Sequence, residues 1–253
     1  MERWPDGLNG HAFFQKHAPA HTPAWVRTVA IPGDEGQERS FVCDDVDSLA
    51  WLTNLAAIPL HLWSSRVATL ERPDWCILDL DPKEAPFAHV VTLALAAREL
   101  CDELGLPLYV KASGSTGLHV LVPLGTQLEH EASVALAQLL SQVLVRRYPA
   151  LATTERNPRA RGAKVYLDAF QNGRGKLLVA PFSPRPLPGV PVSMPLRWSE
   201  VNASLAPRAF TAKNAVARME RLGRDPLARV LTDSPDLGRA FARLERILGA
   251  GER

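Results

Sequence analysis

Trp75-Cys76-Ile77-Leu78-Asp79-Leu80-Asp81-Pro82 reads WCILDLDP. It is a short apolar run, the pattern of a buried strand, and it ends on two acids. Side chains alternate along a strand, so Ile77, Asp79 and Asp81 share one face and Leu78 and Leu80 the other. Two carboxylates about 7 Å apart repel by roughly 2–3 kcal/mol at an effective dielectric near 20, and partial burial adds a desolvation cost. A hard divalent cation reverses that sign, because Mg²⁺ or Mn²⁺ takes carboxylate oxygens. The bland alternative is a solvated strand end, with Asp81 capping a turn before Pro82.

The surroundings of this strand set the fold class. Residues 86–104 make an amphipathic helix that stops at Gly105, and residues 129–148 make another. Residues 26–31, 40–43, 59–63, 108–111, 118–123, 164–168 and 177–181 read as strands, the first two around a Gly-rich turn. Asp44 or Asp45 can cap a helix running to about residue 57, with Leu49, Leu52, Leu55 and Ala56 as its apolar stripe. Helices over 211–222 and 235–248 finish the chain. Residues 1–25 show no period and read as loops. Residues 181–195 hold six prolines and read as extended chain on a surface. Strands and helices interleave without strict alternation, which predicts an α/β (α+β) domain with a mixed central β-sheet flanked by helices.

Composition narrows the partners less than the motifs do. The chain has 253 residues with 46% hydrophobic, enough to bury a large core. A formal charge of +2 names no partner, so any nucleic-acid signal must be local. Cys43, Cys76 and Cys101 lie far apart without ligand spacing, which speaks against zinc or disulfides and suits a reducing cytoplasm. Neither a signal peptide nor an apolar run of membrane-spanning length is visible.

Two further stretches carry chemistry. Residues 111–120, KASGSTGLHV, place glycines and serines between two strands, leaving N–H groups for an anion. A P-loop it is not, and a plain turn beside a satisfied His119 is the competing reading. From Arg156 to Arg185 there are seven Lys/Arg and one acid, Asp168, an imbalance that suits a phosphate-rich ligand. Asp168 is either their counter-ion or a third metal ligand on a neighbouring strand. Three acids, an anion loop and a basic run together are the parts of metal-assisted phosphoryl or nucleotidyl transfer.

DLDP, SGSTGLHV and VYLDAFQNGRGKLLVAPFSPR resemble the signature blocks of the polymerase domain of bacterial DNA ligase D, a member of the archaeo-eukaryotic primase superfamily. WPDGLNGHAFFQKHAP, LHLWSSR and PVSMPLRWSEV extend the resemblance, in order, along essentially the whole chain. The resemblance implies a primase-polymerase fold over residues 1–253 as a single domain. It implies a nucleotidyltransferase of non-homologous end joining that adds nucleoside triphosphates to a primer 3′-OH at DNA ends or gaps. Asp79, Asp81 and Asp168 match the ligands of two divalent cations, Mn²⁺ or Mg²⁺. Ser113, His119 and Arg185 match triphosphate contacts, with Ser115 a further nucleotide-binding candidate in the same loop, His61 the sugar side with Gln171 beside it, and Phe13 and Phe14 a base-stacking pair. Lys16, Arg174 and Lys176 are candidate DNA contacts.

Two departures accompany the match. Thr116 stands where the family has a lysine, leaving Lys111 as a reserve cation, and the family's upstream gap-recognising stretch is not matched. The resemblance implies a polymerase module by itself, stand-alone or excised, working in the cytoplasm near the nucleoid with an end-binding protein and a separate ligase. A metal-dependent phosphoesterase and a weak or inactive DNA-end-binding module are the rival readings.

Overall fold

The computed structural model describes residues 1–33 and 36–249. The N-terminal stretch expected as loops pairs its backbone where two short segments meet. β1 (Glu2–Arg3) and β2 (Phe13–Phe14) run antiparallel, as do β3 (Thr28–Gly33) and β4 (Gly36–Phe41). The centre of the expected Gly-rich turn, at 34 and 35, lies outside the described residues. α1 (Val46–Asn54) starts where Asp45 accepts a hydrogen bond from Ser48 N–H at 2.6 Å. Its inner stripe differs from expectation: Ser48 and Leu52, four apart, are buried, while Leu49 is 42% exposed. Leu49 lies one step round the helix from Ser48, on the solvent side.

β5 (His61–Leu62) and β6 (Trp75–Asp81) precede the long helix α2 (Phe87–Leu104), which ends on left-handed Gly105 as its sequence predicts. Then follow β7 (Tyr109–Ala112), β8 (Leu118–Pro123), α3 (His130–Arg147), β9 (Ala152–Thr153), β10 (Val165–Asp168), β11 (Leu178–Val179) and β12 (Pro195–Leu196). Six strands form the central sheet in the order β12-β7-β8-β6-β10-β9. Every neighbour pair is antiparallel except β10–β9, which is parallel, so the sheet is mixed as expected. β5 and β11 make a separate antiparallel pair.

Cys76, Leu78 and Leu80 point from β6 into the main core, at 0%, 1% and 0% exposure, against residues of α2 and α3. Burying each leucine stabilises the fold by roughly 1.5–3 kcal/mol. The opposite face, bearing the acids, is covered at its far end by Leu227 and Val230 against Leu121.

Two expectations fail at the C-terminal end. The proline-rich stretch is not confined to the surface: Val192, Ser193 and Met194 are buried, and Pro195–Leu196 pairs with β7. Prolines there lack only donors, and an edge strand can do without one. α4 (Ala215–Leu222) begins later than expected, because Asn214 Oδ1 accepts from Thr211 N–H at 2.8 Å and holds a turn. α5 (Leu237–Gly249) closes the described chain. Among the described residues no helix is long and apolar enough to cross a membrane.

Candidate active site

Antiparallel register builds the site. Asp79 stands opposite His119 of β8 on one side and Asp168 of β10 on the other, and His119 stands opposite Lys111 of β7. Opposed residues share a sheet face. Lys111, His119, Asp79 and Asp168 therefore form one row across four strands, with Asp81 two residues along on the same face. Asn172 braces β6 from the side: its amide accepts from Ile77 N–H at 2.7 Å and donates to Ile77 C=O at 2.8 Å.

The acids are held in place but not neutralised. Burial pushes the Asp79 carboxyl up to about 7, and the charges of Asp168 and Asp81 push the same way, against Lys111 and Arg185. Asp168 Oδ1 accepts from Phe170 N–H at 2.9 Å and Tyr166 O–H at 3.3 Å. Asp81 accepts from Lys83 N–H and, at 3.4 Å, from Arg161, whose guanidinium lies over the Tyr166 ring.

Among the described residues no three His, Cys, Asp or Glu side chains are gathered into a complete metal cage. The donor set nevertheless fits a small hard cation, which takes one or two carboxylates and fills its remaining positions with water and phosphate. Asp79, pushed up to about 7 by burial and by Asp168 and Asp81, is the carboxyl whose ionisation added positive charge would most favour.

The loop after β7 is shaped by contact more than by free amides. Ser113 Oγ accepts from Ser115 N–H and Gly117 N–H, each at 3.1 Å, so these two donors turn inward rather than toward an anion. Gly117 presses on β6, where an added Cβ would lie 2.2 Å from Leu80 O. Gly114, at φ +73°, meets Arg185 and Ser193 in the same way. The loop is thereby locked between the acid strand and the proline-rich arm.

A cleft of about 250 Å³ opens above the row, and His61, Asp79, Asp81, Ser113, Thr116, His119, Gln171 and Arg185 are among its walls. His61 Nδ1 and Arg185 Nε are buried there and find no hydrogen-bond partner among the described residues, a costly state unless a ligand supplies one. Burial, then the cations of the N-terminus, Arg185 and Lys111, drive His61 down to about 4, so it is neutral.

The remaining sequence candidates fall elsewhere. Phe14 is 60% exposed with its ring 6.0 Å from that of His61, at the cleft's rim, and Phe13 is 40% exposed beneath the Arg3 guanidinium. Ser115 lines an adjoining groove that shares Thr116 with the cleft. Lys16 and Lys176 are exposed and off the cleft walls. Arg174 is tied to Glu71 by three hydrogen bonds of 2.9–3.1 Å.

Sequence reasoning missed the setting of Lys111. It is fully buried, donating to Ser193 Oγ at 2.6 Å and Val179 O at 3.1 Å, with His119 Nδ1 at 2.8 Å. Burial draws its amine down to about 7, against the attraction of Asp79. A lysine in phase with His119 on paired strands was the available signal; Ser193, inside the proline-rich arm, carried none.

The sequence and its fold have known counterparts. Residues 1–227 match the family model described as LigD, primase-polymerase domain. The chain is 32% identical over 223 residues to the bifunctional non-homologous end joining protein LigD of Bacillus subtilis, covering 87% of this chain and 36% of that protein. It is 33% identical over 230 residues to the multifunctional LigD of Pseudomonas aeruginosa, covering 90% and 27%. It thus spans about a third of the length of these relatives. A solved polymerase domain from Mycobacterium tuberculosis ligase D, in complex with DNA, superposes with a TM-score of 0.84 at 30% identity, over 92% of this chain and 84% of that one. By sequence and by fold, the chain belongs to the LigD primase-polymerase domain family.

Proposed function

We propose that the chain is a metal-dependent, primase-like DNA repair polymerase. It adds NTPs or dNTPs to a primer 3′-OH at DNA ends or gaps in non-homologous end joining. One observation carries the reading: a single row of the sheet sets Asp168, Asp79 and His119 side by side, under a cleft where Arg185 and His61 present unpartnered polar atoms. Residues 1–253 act as one domain, and the DNA-bound relative from M. tuberculosis supports DNA as substrate.

Asp79 and Asp81 would hold both cations and Asp168 the catalytic one. When bound, Mn²⁺ or Mg²⁺ supplies the charge that makes the 3′-oxygen nucleophilic and the pyrophosphate a good leaving group. The chain's own part is orientation. Arg185 and His119 would hold the triphosphate in line, as fixed donors cost no reorganisation during the reaction. Ser113 keeps the loop closed around that position. His61, neutral and beside Phe14, faces the sugar and base, and Phe14 offers the stacking surface. An end-binding protein and a separate ligase would complete joining in the nucleoid.

Primer extension on gapped DNA with Mn²⁺ tests this. Extension by the wild-type chain is expected, with loss to background in Asp79→Ala and Asp168→Ala. Undiminished extension by either variant sinks the assignment of the acids. Shortening of labelled DNA without nucleotides indicates a phosphoesterase, and salt-sensitive binding with no product an end-binding module.

A further inference from the structure

Lys111 is the fully buried cation behind the cleft, and its surroundings are unusually complete. In its ammonium form Lys111 has three N–H donors, and three groups stand around Nζ: Ser193 Oγ, Val179 O and His119 Nδ1. Two of them can only accept. Val179 contributes a carbonyl, and Ser193 spends its own hydroxyl proton on Ala112 O at 3.2 Å, leaving its lone pairs to Lys111.

The third bond can be directed from its far end. His119 Nε2 lies 3.5 Å from Asp79 Oδ1. Once Asp79 is ionised, a bare ring nitrogen facing its oxygen would set lone pair against lone pair, so Nε2 then carries the hydrogen. A neutral imidazole has only one N–H. Nδ1 is then the acceptor, and Lys111 is the donor to it.

Each partner of Lys111 also belongs to a different wall of the cleft. His119 is on β8 within the row. Val179 is on β11, in register with His61. Ser193 lies in the proline-rich arm, where its N–H bonds Ser183 O and its carbonyl accepts from Phe182 N–H, just before Arg185.

We propose that Lys111 is a positioning residue: it bonds His119 Nδ1, holding the ring with its Nε2–H aimed into the cleft, and joins the strand of His119, the strand paired to His61 and the arm of Arg185. The inference rests on the proposed nucleotide site for its functional meaning but not for its geometry. A permanent N–H donor beside Asp79 suits a phosphate oxygen, which only accepts. It makes His119 a hydrogen-bond donor to substrate and not a proton shuttle.

The ¹⁵N NMR spectrum of the full chain, labelled at histidine, without nucleotide and at a pH above about 7 where Asp79 is ionised, reads the tautomer. His119 should show a pyrrole-type Nε2 and a pyridine-type Nδ1. A pyrrole-type Nδ1 would overturn the inference, whatever the protein's activity. In Lys111→Met the ¹⁵N shift of Nδ1 should move toward that of a pyridine-type nitrogen without a donor, and an unchanged Nδ1 shift would show that Lys111 does not bond it. Nucleotide binding by Lys111→Met should weaken on the order of tenfold or more, the effect of losing a charged hydrogen bond. The wild-type spectrum decides the bond direction even if that variant does not fold. Absence of nucleotide binding by the wild-type chain would reject the proposed function and leave the spectral result standing.

Discussion

The inner strands of the central sheet and the small N-terminal strands meet at one cleft, yet they are built on different terms. β6 anchors its acids with Leu78 and Leu80 at 1% and 0% exposure, braced by Asn172 from the side. β2 offers Phe13 and Phe14 at 40% and 60% exposure from a two-residue pair. The difference follows from what each region must hold. Carboxylates that repel need a scaffold that cannot relax away from them, since packed interiors transmit strain instead of absorbing it. An aromatic that meets a base needs only an open face.

Truncation on each side exposes that contrast most strongly. Leu80→Ala leaves a cavity under the acids and should cost about 2–5 kcal/mol in chemical denaturation. Phe14→Ala should stay within roughly 0.5 kcal/mol of wild-type stability. Its nucleotide affinity should nevertheless fall by about 1–3 kcal/mol, the worth of one stacked base. A Leu80→Ala loss no larger than that of Phe14→Ala would mean the row does not depend on its core face.

The same contrast explains what the sequence made legible. WCILDLDP and LHVLVP are strands because apolar side chains repeat beside breakers, and helix α2 announces its end at Gly105. Once those strands were placed, Asp79, His119 and Asp168 were visible as residues of one kind of chemistry. Their pairing was not, because register depends on contacts between distant segments. The prolines of 181–195 hid a sheet edge, since missing donors look the same on a surface and on an outer strand. Ser113 also accepts two N–H groups of its own loop, a bracing role no residue letter shows, while its own hydroxyl proton stays available to the cleft it lines. Lys111 looked like a spare charge because burial is invisible in a single residue letter.

A smaller effect concerns pH. Burial and the neighbouring acids push Asp79 up to about 7, whereas the unfolded chain releases that proton in the ordinary carboxylate range, near 4. Between those values the folded state holds a proton that the unfolded state has lost. This group's contribution to metal-free stability is therefore full at low pH and declines as pH rises through about 7. A cation needs the carboxylate and competes with the proton. The rise in Tm given by Mn²⁺ should be slight at pH 5 and grow through pH 7 to 8. In Asp79→Asn that growth should vanish, and an unchanged pH profile in the variant would show that another group governs it.

Arg174 supplies the finest discrimination. Its guanidinium engages Glu71 in a fork and lies 5.7 Å from the Trp63 ring, with the two charged side chains 37% and 63% exposed. Such exposed pairs are worth about 0.2–1 kcal/mol, so Arg174→Ala should lower stability by no more than that. Its charge is already answered by Glu71, so releasing it onto a phosphate gains little. Lys176 is exposed and pairs with no acid among the described residues, and Lys176→Ala should reduce the salt dependence of DNA binding by about one phosphate contact. Arg174→Ala should leave that slope nearly unchanged, whereas Glu71→Ala, which frees the guanidinium, should steepen it. Equal loss of slope in Arg174→Ala and Lys176→Ala would mean that the Glu71 pair opens when DNA arrives. The basic turn would then belong with the exposed, ligand-meeting region of the molecule and not with its braced interior.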